Sequence, residues 1–299
     1  MTATILVGLV LVLLPLFFFD VGRLGRGIPP ESFAFGHVGF FFTVGVLLAQ
    51  LARLTFVGFW PGAGLILLGV LLFGGLIEAV QPLFGRSAGL RDLWQNALGA
   101  LLAISLHAPK GLARQLLIPF AAGLLLWELS SPAIGLWDRD VARTQFPVLG
   151  DFETRFEHRR WSNGRPSDAV ARSGEHSLRI EMEPGRYSGT SLKRSFGDWT
   201  GYSHLEMSLF NPVEAPLSIT ISIRDHEHFR RGGAYRDRFN GRYTLDAGWN
   251  DLRIPVETIR SAPDGRALDV ADLAELVIFT SNLKDWGVIY LDRVQLAGD

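Results

Sequence analysis

The chain divides into two patterns of apolar and polar positions. Over the first 137 residues the apolar runs are long and almost free of charge: Met1 to Phe19, Ser32 to Ala52, Leu54 to Ile77, Leu93 to Pro109, and Gln115 to Trp137, the last interrupted only by Glu128. A bilayer core about 30 Å thick needs about 20 apolar residues in a helix, and these runs show almost no polar face. They predict a five-helix α-helical transmembrane bundle, with helices over about 3–19, 32–52, 56–79, 91–107 and 115–137. Residues 138–150 turn polar, contain Pro147 and Gly150, and read as a linker.

Beyond residue 150 the period becomes two. Leu217, Ile219, Ile221 and Ile223 alternate with Ser218, Thr220, Ser222 and Arg224, giving one buried and one wet face. Leu178-x-Ile180-x-Met182 and Leu205-x-Met207-x-Leu209 repeat it, and Pro184-Gly185, Asn211-Pro212, Ala247-Gly248 and Pro263-Asp264-Gly265 punctuate it. Eight or nine short strands with almost no helix predict an all-β jelly-roll sandwich over 151–299.

Charge sharpens the division. Of 29 basic and 30 acidic residues, only 12 fall in the first 137 positions. The net charge of −1 gives no support for nucleic-acid binding, and the absence of cysteine excludes disulfides, thiol nucleophiles and thiolate metal sites. The first run has no basic residue ahead of its apolar core and no small-x-small cleavage site, so it reads as an uncleaved helix. Basic residues after successive helices split four against three and do not fix orientation. Five spans put the two termini on opposite sides. A sandwich working outside the cell then implies a cytoplasmic (inner) membrane protein with a cytoplasmic N-terminus and an extracytoplasmic C-terminal domain.

Polar residues converge at one predicted membrane face: His37 near the start of the second helix, Glu78 and Gln81 at the end of the third, Asp92 and Asn96 at the start of the fourth, with Arg86 in the connection. Alternation brings those three ends to one side. Glu78 and Gln81, and Asp92 and Asn96, each share a helix face, while Gly74, Gly75 and Gly99 allow close packing in lipid. Two readings stand: interhelical hydrogen bonds that fix the bundle, or a polar pocket for a ligand or head group. Acid–base work by Glu78, Asp92 and His37 is conceivable, but no nucleophile, phosphate loop or metal motif accompanies them.

The run Gly75-Leu-Ile-Glu78-Ala-Val-Gln81-Pro-Leu-Phe-Gly-Arg86, then Asp92-Leu-Trp-Gln-Asn96-Ala-Leu-Gly99, together with His37 in Phe35-Gly-His-Val-Gly-Phe40, resembles the signature of VanZ-like membrane proteins. The resemblance spans roughly residues 28–106 and implies a bacterial cell-envelope protein, but no reaction. The fifth helix and the β domain depart from that family's four-span pattern. The order Asp151-Phe-Glu153, Ser173-Gly-Glu-His-Ser-Leu178, Asp198-Trp-Thr-Gly-Tyr202, Phe210-Asn-Pro212, Gly248-Trp-Asn250 and Tyr290-Leu-Asp-Arg-Val294 resembles the galactose-binding-like jelly rolls of carbohydrate-binding modules. That resemblance implies a binding fold, and one structural calcium with Glu153 and Asp292 as oxygen donors.

Candidate sugar contacts are the aromatic faces of Trp161, Tyr187, Tyr235 and Trp286, with Asp225, His226, His228, Arg230 and Arg236 as polar partners. Trp199 and Trp249 read as core. His226-x-His228 beside Asp225 suits two ligands on one strand face, without a third. The arginine-rich stretch 224–242 could instead meet phosphates or uronic acids. Three functions follow: a glycan- or glycolipid-binding envelope protein, a scaffold whose sandwich meets another protein, or an enzyme or transporter for lipid-linked intermediates.

Overall fold

The structure, a computed structural model, describes residues 3–18, 32–54, 58–84, 89–193 and 197–298. It separates into two compact units, Met1–Trp137 and Asp138–Asp299.

The first unit is helical. Helix α1 (Ala3–Leu13) runs into a 3-10 turn (Leu14–Phe17). Then come α2 (Ser32–Leu54), α3 (Phe59–Val80) with a 3-10 turn at Gln81–Phe84, α4 (Leu90–His107) and α5 (Leu112–Gln145). By length and composition two segments could cross a membrane, Phe59–Phe84 and Leu112–Gln145; Thr4–Leu13 and Phe35–Leu51 are shorter apolar stretches. Leu65, Leu68, Leu72 and Leu76 are exposed on α3, a stripe at helical spacing. Helices α2 and α4 meet backbone to backbone. A Cβ at Gly99 would stand 2.6 Å from the Val38 carbonyl oxygen and 2.7 Å from the Phe42 nitrogen, so only glycine allows this crossing. Phe17, Phe40, Phe41, Val70 and Ile77 fill the adjoining core.

Residues 138–150 are not the irregular linker that their polarity predicts. Helix α5 continues to Gln145, and Val148–Gly150 form strand β1. Asp138 and Ala142 are buried there, because Arg160 donates from Nε and Nη2 to the two Asp138 oxygens at 2.9 Å each and from Nη2 to Gln145 at 3.0 Å. The polarity marks a change in what the helix packs against, not its end.

The second unit is a two-sheet antiparallel sandwich. Its strands are β1, β2 (Arg165–Ser167), β3 (Ser177–Met182), β4 (Gly185–Lys193), β5 (His204–Asn211), β6 (Leu217–Asp225), β7 (Phe239–Leu245), β8 (Gly248–Pro255), β9 (Leu273–Leu283) and β10 (Gly287–Ala297). The larger sheet has the order β2-β3-β10-β5-β8, with β1 also pairing β10, and the smaller one has β4-β9-β6-β7. Alternate residues point inward, among them Leu178, Ile180, Leu205, Met207, Leu209, Ile219, Ile221, Ile223, Leu276 and Ile278. Trp199 is fully buried, while Trp249 lies half-buried against Phe210, ring centroids 5.3 Å apart.

Candidate functional site

Strand pairing sets the outer face of the smaller sheet. Gly189 pairs with Phe279, Phe279 with Thr220 and Thr220 with Arg242; one step along, Ser191, Val277, Ser222 and Asn240 form a second row. Paired residues point to the same side, and of these Gly189, Ser191, Thr220, Arg242, Val277 and Phe279 floor an open groove of about 770 Å³. Tyr187 rises at one side, edge-on to Phe279 with centroids 5.6 Å apart. Tyr235, from the β6–β7 connection, also lines the groove, and the two tyrosines are 63% and 66% exposed. A Cβ at Gly189 would lie 2.1 Å from the Ile278 carbonyl oxygen, so the residue there must be glycine for the strands to pair this closely.

Arg186, Arg224, Arg238 and Arg242 also line this groove, and its lining holds no carboxylate among the described residues. Arg224 donates to Glu275 at 2.8 Å, just beyond the lining. Arg186 lies over the ring of Tyr187 at 5.4 Å, and Arg238 over Tyr235 at 5.2 Å. Exposed aromatic faces, hydroxyls and planar cations on one open surface suit an extended polar ligand more than a small enclosed one.

Of the residues singled out from sequence, Tyr187, Tyr235 and, from the arginine-rich stretch, Arg224, Arg238 and Arg242 stand in this groove, and the other candidates stand elsewhere. Trp161 is a correction. It is 5% exposed, packs on Phe152 with centroids 5.8 Å apart and bridges to Leu192, so its face is core. Trp286 is 69% exposed but lies outside the groove lining. Asp225 and His228 are further corrections. Strand β6 ends at Asp225, which caps helix α6 (His226–Arg230) by accepting the His228 N–H at 2.8 Å. The helix breaks the strand alternation that would have placed the two histidines side by side.

Arg266 closes over this corner. It donates from Nη1 and Nη2 to the Asp225 oxygens at 2.5 and 2.9 Å, and from Nε and Nη2 to those of Asp237 at 2.6 and 3.0 Å. The buried His228 ring meets the Asp237 carbonyl at 3.0 Å. Burial would raise the Asp225 carboxyl, but Arg266 and the N–H groups of Asp269 and His228 hold it below the usual range. This is a structural lock. His226 is exposed, Arg230 pairs with Glu227 at 2.8 Å, and Arg236 faces Asp264 at 3.8 Å, all outside the groove lining.

Glu153, just beyond β1, and Asp292, in the middle of β10, meet the same short loop. Glu153 Oε1 accepts the N–H of Glu175 and His176 at 2.9 and 2.8 Å, and its Oε2 faces the His176 ring at 3.3 Å. Asp292 accepts the N–H of Arg172, Ser173 and Arg293 at 2.6, 3.0 and 2.6 Å. Burial, with the Glu153 charge nearby, pushes the Asp292 carboxyl above its ordinary value. A calcium ion needs six to eight oxygens facing it, whereas these carboxylates face N–H donors. The pair does not fit the calcium that the jelly-roll resemblance implies.

In the helical unit, His37, Glu78, Asp92 and Asn96 come together. His37 Nδ1 meets Asn96 Oδ1 at 3.0 Å, and its Nε2 stands 3.9 Å from Asp92 Oδ2. One ligand atom from each of His37, Glu78 and Asp92 lies within 4.8 Å of the others. Glu78 Oε2 accepts the Gly89 N–H at 2.9 Å. An Asn carbonyl accepting from Nδ1 leaves Nε2 to face the carboxylates, an arrangement that suits a shared proton or a cation. Gln81 turns away and donates to the Phe17 carbonyl at 3.2 Å. Arg86 lies outside the described residues. The sequence reading missed Glu128, buried and bonded to Arg91 at 3.1 Å, Trp94 at 3.1 Å and Gln95 at 2.9 Å. Its signal was present, a lone carboxylate in an apolar run with Arg91 and Gln95 four residues apart on another helix.

No family model matches the chain, and no curated protein matches it. Among solved structures, the β half is similar to a family 11 carbohydrate-binding module from Clostridium thermocellum in complex with a β-1,3-1,4-mixed-linked tetrasaccharide, at 18% identity and TM-score 0.39, over 50% of this chain and 94% of that one. It is also similar to a non-crystalline cellulose specific carbohydrate-binding module at 13% identity and TM-score 0.34, over 52% of this chain and 95% of that one. An exo-beta-agarase matches at 14% identity and TM-score 0.40, over 51% of this chain and 25% of its own.

Proposed function

We propose that this chain is a multi-pass membrane protein whose sandwich binds a glycan along the groove of its smaller sheet. The observation that carries the reading is the pair of exposed tyrosines, Tyr187 and Tyr235, bordering a polar floor. Sugars present C–H faces that stack on such rings and hydroxyls that bond planar side chains. Titrating the full chain in detergent with a panel of neutral and acidic polysaccharides tests it. Tyr187→Ala and Tyr235→Ala should each weaken binding roughly two- to tenfold. Saccharide binding that survives the double substitution, or none with the intact chain, overturns the reading; capture of a protein partner instead would favour a scaffold.

The helical unit serves in this reading as the membrane anchor, with five spans, a cytoplasmic N-terminus and an extracytoplasmic sandwich. The apolar stripe on α3 supports lipid contact. The VanZ-like motif residues His37, Glu78, Asp92 and Asn96 form a pocket for a polar lipid or glycolipid head group at the outer face. Single cysteines in this cysteine-free chain, labelled from either side, test the topology; a sandwich labelled only from the cytoplasm would reverse it. No reaction is assigned.

A further inference from the structure

The groove has an electrostatic bias that glycan binding alone does not require. Four guanidiniums line it without one carboxylate among the described residues. Arg224 has Glu275 as a partner, whereas Arg186, Arg238 and Arg242 form no ion pair among the described residues. The Nε of Arg224 and that of Arg238 have no hydrogen-bond partner there. Half-buried donors that meet neither protein nor free water are a standing cost, relieved when an acceptor arrives. Burial, and then the Arg224 charge, hold Arg238 below the ordinary arginine value, against the opposing pull of Glu275. Arginine stays protonated in proteins, so the charge remains.

We infer that the groove selects acidic glycans, chains whose sugars carry repeated carboxylate or sulfate groups, over neutral ones. This rests on the reading that the groove binds a glycan. The arginines border the tyrosines on one surface, so a chain stacked on Tyr187 and Tyr235 presents its acidic groups to Arg186, Arg238 and Arg242. A guanidinium meets a carboxylate through two parallel N–H···O bonds, which a neutral hydroxymethyl group cannot accept in the same way.

Polygalacturonate and its fully methyl-esterified form make a matched pair, since esterification removes the charge and leaves the chain. The full chain in detergent should bind the free acid at least about tenfold more tightly than the ester. A sulfated galactan against neutral galactan, run alongside, decides which acid group is preferred. Arg238→Ala should reduce binding of the preferred acid about tenfold, with Arg238→Lys retaining part of it. Arg236→Ala, outside the groove, should leave affinity unchanged. Raising salt from 0.1 to 1 M should weaken acid binding and reduce the preference, because the screening length shortens from about 10 to about 3 Å.

Equal affinity for acid and ester, and for sulfated and neutral galactan, with both weakened in Tyr187→Ala, overturns the selectivity and leaves the glycan reading standing. Binding of polyglutamate as tight as that of the acidic glycans overturns it too, by reducing the effect to net charge. No binding of any saccharide overturns both. A melting profile of each variant separates lost binding from lost fold.

Discussion

Arg266 has two carboxylates within hydrogen-bonding distance, Asp225 and Asp237, whereas Arg186, Arg238 and Arg242 share an open groove with none among the described residues. The two groups belong to one domain and overlap in sequence. Around Arg266 the carboxylates are answered, the side chains are largely out of water, and the gain is a fixed corner joining the end of β6, the β6–β7 connection and the segment before β9. Around the groove the positive charges are left for something outside the chain to answer. Residue type does not separate the two; the count of acceptors within reach does.

The largest test of this contrast is Arg266→Ala. It strands two carboxylates beside a buried histidine and should cost about 3–5 kcal/mol of sandwich stability, read as a lower melting temperature or denaturation midpoint. A loss under about 1 kcal/mol would mean that the corner is not locked. In the helical unit, Gly99→Leu extends the contrast to packing without charge. The added side chain must displace the Val38–Phe42 backbone, at about 1–3 kcal/mol, detectable as earlier thermal unfolding in detergent.

A third measurement concerns Glu157, whose charge is poorly answered. It is buried, accepts the Asp151 N–H at 2.9 Å and the Thr154 hydroxyl at 3.1 Å, and has Arg160 at 3.7 Å. Burial first, and the Asp151 charge second, push its carboxyl up to about 7. A raised folded value means that the protonated form is favoured. The stability it contributes is therefore full below about pH 4.5 and lost as pH rises through about 7. Sandwich melting should fall across that window in the native chain, and Glu157→Gln should flatten the slope. The smallest expected effect is Tyr187→Ala. This exposed side chain should change stability by no more than about 0.5 kcal/mol while weakening glycan binding. A large loss of stability would instead move Tyr187 into the framework.

Much of the sandwich was legible in the chain. The alternation through β3, β5 and β6 reports directly which side chains face inward, because a strand has only two faces. Tyr187 and Tyr235 were identifiable as candidates by type. Trp161 was not separable from them, since an indole on a strand-poor stretch looks the same whether it packs on Phe152 or faces water. His226 and His228 misled for a local reason: the Asp225 cap turned a strand into one turn of helix. Arg186 carried no motif and Arg242 only its place in an arginine-rich stretch, and only pairing across β4, β9, β6 and β7 brings them to the same surface.

The sequence by itself determined the division into an apolar helical half and an alternating β half, because local periodicity and charge density follow from which surroundings each segment must satisfy. It also brought His37, Glu78, Asp92 and Asn96 into one expectation, since helix alternation is a counting rule. Only the tertiary structure decided which arginines are neutralised and which are left open, whether a tryptophan is wall or core, and that Glu153 and Asp292 serve backbone N–H groups. Those outcomes depend on distances between residues far apart in the chain, and no local pattern records them.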